Sequence, residues 1–124
     1  MKKKILIIED NEKNRYLAYF ILKQAGYEIF EAVNGEEGLR QADVFRPDLI
    51  LLDIQLPGMD GYKVFERLKT NENVKKIPVI AVTSYAMPGD KEKALEMGFD
   101  GYMEKPINTD TFLDQIKFYF TENK

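Results

Sequence analysis

The sequence predicts an α/β fold, a doubly wound, five-stranded parallel sheet with helices on both faces. Short apolar runs alternate with amphipathic stretches along the whole chain, as strands alternate with helices in such folds. The run Leu49–Leu52 is uninterrupted, which indicates a strand buried on both faces, because a surface strand would alternate apolar with polar residues. Turn-forming residues such as Gly26, Pro47 and Gly98 separate the stretches.

The composition limits the classes of function. The chain has 124 residues and a net charge of -3, with no cysteine and no histidine. This length predicts one domain over residues 1–124, and Met1 shortly before the first strand favours a complete chain, as does the polar ending at 121–124. Lacking Cys and His, the chain cannot form disulfides, histidine triads or His-ligated zinc, which fits a cytoplasmic protein. Interspersed charges and short apolar runs argue against nucleic-acid binding and membrane insertion.

Three strand–helix pairs are predicted in the first half of the chain. The second strand has mixed polarity, as expected at a sheet edge, whereas the third is wholly apolar and belongs in the centre. A Pro-Gly loop follows the third strand. The predicted elements are, in order, Lys4–Ile8, a helix capped within Asn11–Asn14 and ended by Gly26, Tyr27–Val33, Glu36–Phe45, Asp48–Asp53 and Tyr62–Leu68.

The second half repeats the alternation. Pro78 near the start of the fourth strand is tolerable, because one ladder donor can be missing there. A looser segment through Pro88 and Gly89 leads into the fourth helix. The predicted elements are Ile77–Val82 ending at Thr83 and Ser84, Asp90–Met97, Phe99–Glu104, and a last helix capped by Thr109 or Asp110.

Polar side chains follow four of the predicted strands. Glu9 and Asp10 follow the first, Asp53 the third, Thr83 the fourth and Lys105 the fifth. Parallel strands bring their carboxyl ends to one edge of the sheet, where ligands bind in such folds. Each residue alone could be a strand exit, a helix cap or a surface lysine, but their joint occurrence favours a site.

The carboxylates of this cluster predict a bound cation. Like charges so close would raise one another's pKa unless a hard divalent ion entered, and Mg²⁺ fits a few carboxylates best. A metal beside a carboxylate indicates phosphoryl transfer to Asp53, forming an acyl phosphate. Lys105 would neutralise phosphoryl oxygens, and Thr83 would donate a hydrogen bond to one of them.

These residues resemble the receiver domain of two-component response regulators. The resemblance rests on Glu9-Asp10, on Asp53 in Leu-Leu-Asp-Ile-Gln-Leu-Pro-Gly-Met-Asp-Gly, on Thr83 and on Lys105-Pro106, and it covers essentially the whole chain. It implies the flavodoxin-like receiver fold with strand order 2-1-3-4-5. The segments Ala-Val-Thr-Ser-Tyr-Ala-Met-Pro-Gly-Asp and Gly-Tyr-Met-Glu-Lys-Pro-Ile are most similar to stand-alone chemotaxis and cell-cycle regulators and to receivers of hybrid kinases.

The resemblance also implies a role for each site residue. Asp53 is implied as the phosphoacceptor, Asp10 as a direct magnesium ligand and Glu9 as one acting largely through water. The backbone carbonyl of Gln55 is implied as a further ligand. The resemblance further implies that Thr83 and Tyr102 are the switch pair and that the Lys105-Pro106 peptide bond is cis.

The implied function is a phosphorylation-dependent signalling switch. Its phosphodonor would be a histidine kinase or a histidine phosphotransfer protein, and its output a contact with a downstream effector. Such a domain catalyses its own phosphorylation and slow autodephosphorylation without being a conventional enzyme. In the family the first helix docks the phosphodonor, which points to Ala18 and Leu22. The last helix has more aromatic residues than one buried stripe accommodates, which predicts a homodimer or partner surface there, among Phe112, Phe118, Tyr119 and Phe120.

Two other functions remain open on the sequence, and a third is not supported. The main alternative is a small magnesium-dependent phosphatase with an aspartyl-phosphate intermediate, although Gln55 stands where a general acid would be expected two residues after Asp53. A scaffold that works without phosphate is a second alternative. A nucleotide-binding protein is not supported, since no Gly-rich phosphate loop follows the first strand.

Overall fold

The computed structural model describes residues 2–84 and 88–122. Within these ranges five strands alternate with five helices, as the sequence predicts. The strands are Lys4–Ile8 (β1), Glu28–Ala32 (β2), Leu49–Asp53 (β3), Val79–Thr83 (β4) and Gly101–Glu104 (β5). The helices are Glu12–Gln24 (α1), Gly35–Phe45 (α2), Gly61–Thr70 (α3), Asp90–Met97 (α4) and Phe112–Glu122 (α5). The expectations that involve Met1, residues 85–87 of the looser segment and the tail beyond 122 lie outside the described residues.

The strands form one parallel sheet in the order β2-β1-β3-β4-β5, which confirms the predicted topology. Leu52 of β3 pairs with Ile8 on one side and Ala81 on the other, so the central strand is hydrogen-bonded along both edges. Every residue of β3 is buried, as the uninterrupted apolar run predicts. The carboxyl ends of β1, β3 and β4 therefore stand side by side.

Two apolar layers enclose the sheet. Alternate residues of β3 serve the two layers: Ile50 and Leu52 pack with α2, α3 and α4, whereas Leu49 and Leu51 pack with α1 and α5. Burying one such aliphatic side chain contributes roughly 1.5–3 kcal/mol. The sheet is thus packed on both faces, and this packing also restrains the residues at its carboxyl edge. Among the described residues no helix has the length and apolar character needed to cross a membrane.

Short polar side chains begin three of the helices. Asn11, Asn34 and Asp60 are the N-caps of α1, α2 and α3, and each accepts a hydrogen bond from a backbone N–H three residues on. The cap predicted for the last helix is wrong by one or two residues, because the residue that precedes the helix is Thr111. α5 begins at Phe112, after a turn in which the Asn108 side chain accepts from the backbone N–H of Asp110 at 2.9 Å.

The first helix presents a different surface from the one predicted. Ala18 and Leu22 are 3% and 0% exposed and belong to the core, so the expectation that they contribute to a docking surface is wrong. Tyr16 and Phe20 lie on the outer side, 62% and 48% exposed, with their rings stacked 6.1 Å apart. Helical periodicity explains the difference, because residues two positions apart point in nearly opposite directions.

The last helix divides its aromatic residues between core and solvent. Phe112 is buried, and Tyr119 and Phe120 pack partly against the layer shared with α1. Phe118 is 54% exposed. The prediction that the aromatics exceed one buried stripe is confirmed at Phe118.

Candidate active site

Three carboxylates meet at the carboxyl edge of the sheet. Asp53 is the last residue of β3 and Glu9 follows β1; both are buried, at 3% and 5% exposure, while Asp10 is exposed. One carboxylate oxygen from each of the three residues lies within 4.8 Å of the others. Because β1 and β3 are paired neighbours that end at the same level, the strand ends alone bring these residues together.

Lys105 supplies the positive charge opposite the carboxylates. Its Nζ lies 2.5 Å from Glu9 Oε1 and 3.2 Å from Asp53 Oδ2, and its side chain is only 8% exposed. The backbone N–H of Lys105 donates to the Thr83 carbonyl at 2.8 Å, which ties the lysine to the end of β4. The Lys105–Pro106 bond is cis, as predicted. Lys105 is therefore a buried member of the cluster and not a solvated surface lysine.

The loop after β3 fixes the orientation of the Asp53 carboxylate. The backbone N–H of Gln55 donates to Asp53 Oδ1 at 3.0 Å, and the N–H of Ile54 donates to the Val82 carbonyl at 2.9 Å. Gly61 begins α3 directly over this loop. A Cβ on Gly61 would lie 2.6 Å from both the Asp53 carbonyl and Ile54 Cα, so only glycine permits this approach.

The environment of Asp53 disfavours its ionised form. Burial, together with the hydrogen bond to Glu9 and its negative charge, raises the pKa of Asp53 to about 7. The Lys105 ammonium and the Gln55 N–H oppose this rise. Without an added cation, a substantial fraction of Asp53 is consequently protonated near neutral pH.

The donor set fits a magnesium ion. Its three carboxylates, two of them buried, offer hard oxygen ligands, and the exposed Asp10 opens the cluster to solvent. The pKa of Asp53 is raised first by burial and then by Glu9, so Lys105 alone does not offset the free-energy cost of ionising Asp53 here. A divalent cation would supply the missing charge, whereas Zn²⁺ prefers nitrogen and sulfur ligands.

Thr83 and Gln55 are connected through their side chains. Gln55 Nε2 donates to Thr83 Oγ1 at 2.5 Å, and Gln55 Oε1 accepts from the backbone N–H of Ser84 at 3.2 Å. Thr83 itself is 3% exposed at the end of β4. Sequence reasoning assigned Gln55 only a backbone role, and nothing in the sequence marks this side-chain contact.

Tyr102 lies on β5, beside Ala81 of β4. Its ring packs partly against the layer formed with α2, α3 and α4. Its hydroxyl is buried and has no hydrogen-bond partner within the described part of the chain. Burial raises the pKa of Tyr102, and the charges of Asp90 and Glu104 add to the rise. The structure thus places Tyr102 two strands away from Asp53, with β4 between them, and outside the carboxylate cluster.

The chain matches known proteins along nearly its full length. The model of the response regulator receiver domain family matches residues 5–117. The polar-differentiation response regulator DivK of Brucella anthropi is 44% identical over 119 residues, which is 96% of this chain and 97% of that protein. DivK of Brucella ovis has the same identity and coverage. These matches identify the family.

Solved structures agree with the sequence matches. A CheY-like receiver domain protein from Methanospirillum hungatei JF-1 has a TM-score of 0.89 at 32% identity, covering 98% of this chain and 96% of that one. The receiver domain of the sensor histidine kinase PA1611 from Pseudomonas aeruginosa PAO1 has a TM-score of 0.84 at 33% identity, covering 95% and 96%. That domain has a magnesium ion coordinated in its active-site cleft.

Proposed function

The chain belongs to the response regulator receiver domain family, and on that premise we propose that Asp53 is its phosphoacceptor. It is a phosphorylation-dependent signalling switch of a two-component system. One observation carries the assignment of Asp53: it is the buried carboxylate at the end of the central strand, held 3.2 Å from Lys105 and beside Glu9 and Asp10.

Phosphorylation of Asp53 is a displacement at phosphorus. A carboxylate oxygen of Asp53 forms the new P–O bond while the bond from phosphorus to the donor's imidazole nitrogen breaks, and that bond's electron pair leaves with the imidazole. The backbone N–H of Gln55 and the Lys105 ammonium hold the carboxylate before attack. Lys105 then lies where it can offset charge on the phosphoryl oxygens.

Receiver domains bind Mg²⁺ at an acidic site, and we assign that site here to Glu9, Asp10, Asp53 and the backbone carbonyl of Gln55. When bound, the ion supplies charge neutralisation for the phosphoryl oxygens. Asp10 would bind it directly, and Glu9, already paired with Lys105, would act largely through water. Asp53 must be ionised both to bind the ion and to attack.

The signal would pass from Asp53 through Thr83 to Tyr102. The Thr83 hydroxyl would donate to a phosphoryl oxygen, and the contact with Gln55 would loosen as it does so. Tyr102 would then move into space near Thr83; its hydroxyl has no bond to lose among the described residues. The surface made by α4, β5 and α5, here called the α4–β5–α5 face, would be remodelled.

Receiver domains interact with kinases and effectors. For this chain we assign a histidine kinase or phosphotransfer protein as donor, an effector protein as target and the cytoplasm as location, which the absence of cysteine fits. The exposed Phe118 supports a homodimer contact through α5. Sedimentation of the phosphorylated protein tests that contact: a monomer at high concentration would exclude it.

Intact-mass measurement after incubation with magnesium and acetyl phosphate tests the assignment of Asp53. The wild-type protein is expected to gain one phosphoryl group and Asp53→Asn none, because the amide is a poor nucleophile. Asp60→Asn is the matched control, since Asp60 is an exposed N-cap and asparagine caps equally well. Equal phosphorylation of Asp53→Asn and wild type would refute the assignment.

A further inference from the structure

Arg15 donates hydrogen bonds to the backbone carbonyls of Glu9 and Asp10, two of the three residues that supply the carboxylates. It lies in the first turn of α1, and its side chain is only 15% exposed. Nη1 donates to the Glu9 carbonyl at 2.9 Å and makes a longer contact of 3.4 Å with the Asp10 carbonyl. Nε lies 3.2 Å from Glu31 Oε2 on the edge strand β2. One guanidinium thus links the turn of Glu9 and Asp10, here called the acidic turn, to β2, the strand next to β1.

The acidic turn has few other fixed points. It lies beyond Ile8, the last residue of β1. The N–H of Glu9 donates to the Ala32 carbonyl at 3.0 Å, and the N–H of Asn11 donates to Glu9 Oε2 at 3.1 Å. These bonds fix backbone N–H groups of the turn, whereas Arg15 fixes its backbone carbonyl groups. The rigid fork of a guanidinium fixes both carbonyls relative to Glu31, which a flexible ammonium cannot do.

We propose that Arg15 is a positioning residue for the magnesium site, acting through the backbone of Glu9 and Asp10. The inference rests on the proposed function, since it assumes that these carboxylates hold the ion. The side chain does not touch the phosphoacceptor. It sets the direction in which the two carboxylates leave the backbone, and Glu31 offsets its charge.

Because Arg15 is positively charged, a positioning role and a purely electrostatic role predict opposite changes in Mg²⁺ affinity when the residue is removed. A cation beside a metal site repels the metal, so removing Arg15 should strengthen Mg²⁺ binding if charge alone mattered. Positioning predicts the opposite sign. A role confined to joining α1 to β2 would change unfolding but would leave the affinity for Mg²⁺ unchanged at temperatures where the variant is folded.

Calorimetric titration with Mg²⁺ distinguishes these cases. We expect Arg15→Met to bind the ion roughly tenfold more weakly than wild type, the lower end of the loss typical when a residue that orients metal ligands is removed. Lys13→Met is the matched control, because Lys13 is exposed, lies two residues before Arg15, and its replacement removes the same charge. It should bind as tightly as wild type or slightly more tightly. Saturating Mg²⁺ should restore the rate at which Arg15→Met is phosphorylated by acetyl phosphate.

Arg15→Lys keeps the charge and carries the test if Arg15→Met does not fold. It should weaken Mg²⁺ binding by a smaller factor, about threefold, because an ammonium cannot hold both carbonyls and Glu31 together. The inference is overturned if a folded Arg15 variant binds Mg²⁺ as tightly as Lys13→Met. If Asp10→Asn leaves the wild-type affinity unchanged, the assigned magnesium site itself is wrong, whatever Arg15 does, and the inference is overturned with it.

Discussion

The carboxylate cluster and the α4–β5–α5 face are built in opposite ways. In the cluster, Glu9, Asp53 and Lys105 are each less than a tenth exposed and are joined by ion pairs. On the α4–β5–α5 face, the buried hydroxyl of Tyr102 has no partner among the described residues, and Phe118 is exposed. α4 itself has only eight residues, buries only Ala94 and begins without a side-chain cap.

The contrast indicates where the molecule must be rigid and where it must yield. Phosphoryl transfer depends on groups oriented before the reaction, so buried and fully paired side chains suit it. A signal depends on a region with two arrangements of similar free energy, which requires weakly held groups. The fold supports both because β1 and β3 anchor the carboxylates in the interior of the sheet while β5 lies at its edge.

The largest expected effect tests the rigidity of the cluster. Lys105→Met should destabilise the metal-free protein by about 3 kcal/mol above neutral pH, because it leaves Glu9 and Asp53 buried without a cation. Urea denaturation in the presence of a chelator measures the change. Added Mg²⁺ should recover part of the loss, since it would supply positive charge to the same carboxylates.

The same measurement on Phe118→Ser supplies the comparison from the other region. Phe118 is 54% exposed, so its replacement should change the free energy of unfolding by less than about 0.5 kcal/mol. A loss as large as that of Lys105→Met would show that the α4–β5–α5 face is as tightly built as the cluster, and the contrast would fail.

The next effect concerns pH. The folded-state pKa of Asp53 is raised from 3.8 to about 7, so the native protein binds more protons than the unfolded chain between these values. Stability from this group is therefore fully present below the unfolded pKa and is lost as pH rises through about 7. Between about pH 6 and about pH 8 the metal-free protein should lose on the order of 1.4 kcal/mol.

Asp53→Asn controls for every other titrating group in the pH series. The amide resembles the protonated carboxyl, so the variant should lack the part of the pH dependence that belongs to Asp53. Urea midpoints at the two pH values, measured with a chelator, give the comparison. Identical slopes for the variant and wild type would mean that Asp53 titrates at its ordinary value.

Elements with strong local signals are those that the sequence predicted well. The uninterrupted run Leu49–Leu52 placed β3 in the centre, and the polar residues at the ends of four strands placed Glu9, Asp53 and Lys105 in one cluster. Parallel topology explains this success, because it converts position along a strand into position in space. Contacts between side chains distant in sequence carry no such periodic signal.

The features that sequence reasoning missed depend on such contacts. The Gln55 side chain reaches Thr83, and Arg15 reaches the carbonyls of the acidic turn; neither contact follows from spacing along the chain. The two faces of α1 were also misjudged. Ala18 and Leu22, which were expected on a docking surface, are buried, whereas Tyr16 and Phe20 are exposed.

A smaller effect than that of pH is expected for Thr83, which lies between the two regions. Thr83→Ala should still accept phosphate on Asp53, because Lys105 and the carboxylates are untouched. It should weaken the coupling to the α4–β5–α5 face by about 1 kcal/mol, roughly fivefold, since no hydroxyl remains to follow the phosphoryl group. Hydrogen exchange of α4 and α5, compared before and after phosphorylation, measures the coupling.

Ser84→Ala is the matched control for Thr83→Ala. Ser84 is exposed and contacts Gln55 through its backbone N–H, so losing its hydroxyl should leave the response intact. Thr83→Ala also removes the acceptor of Gln55 Nε2, and any change in exchange without phosphate reports that loss separately. If phosphorylated Thr83→Ala matches phosphorylated wild type in the protection of α4 and α5, the cluster reaches the α4–β5–α5 face by a route that avoids this hydroxyl.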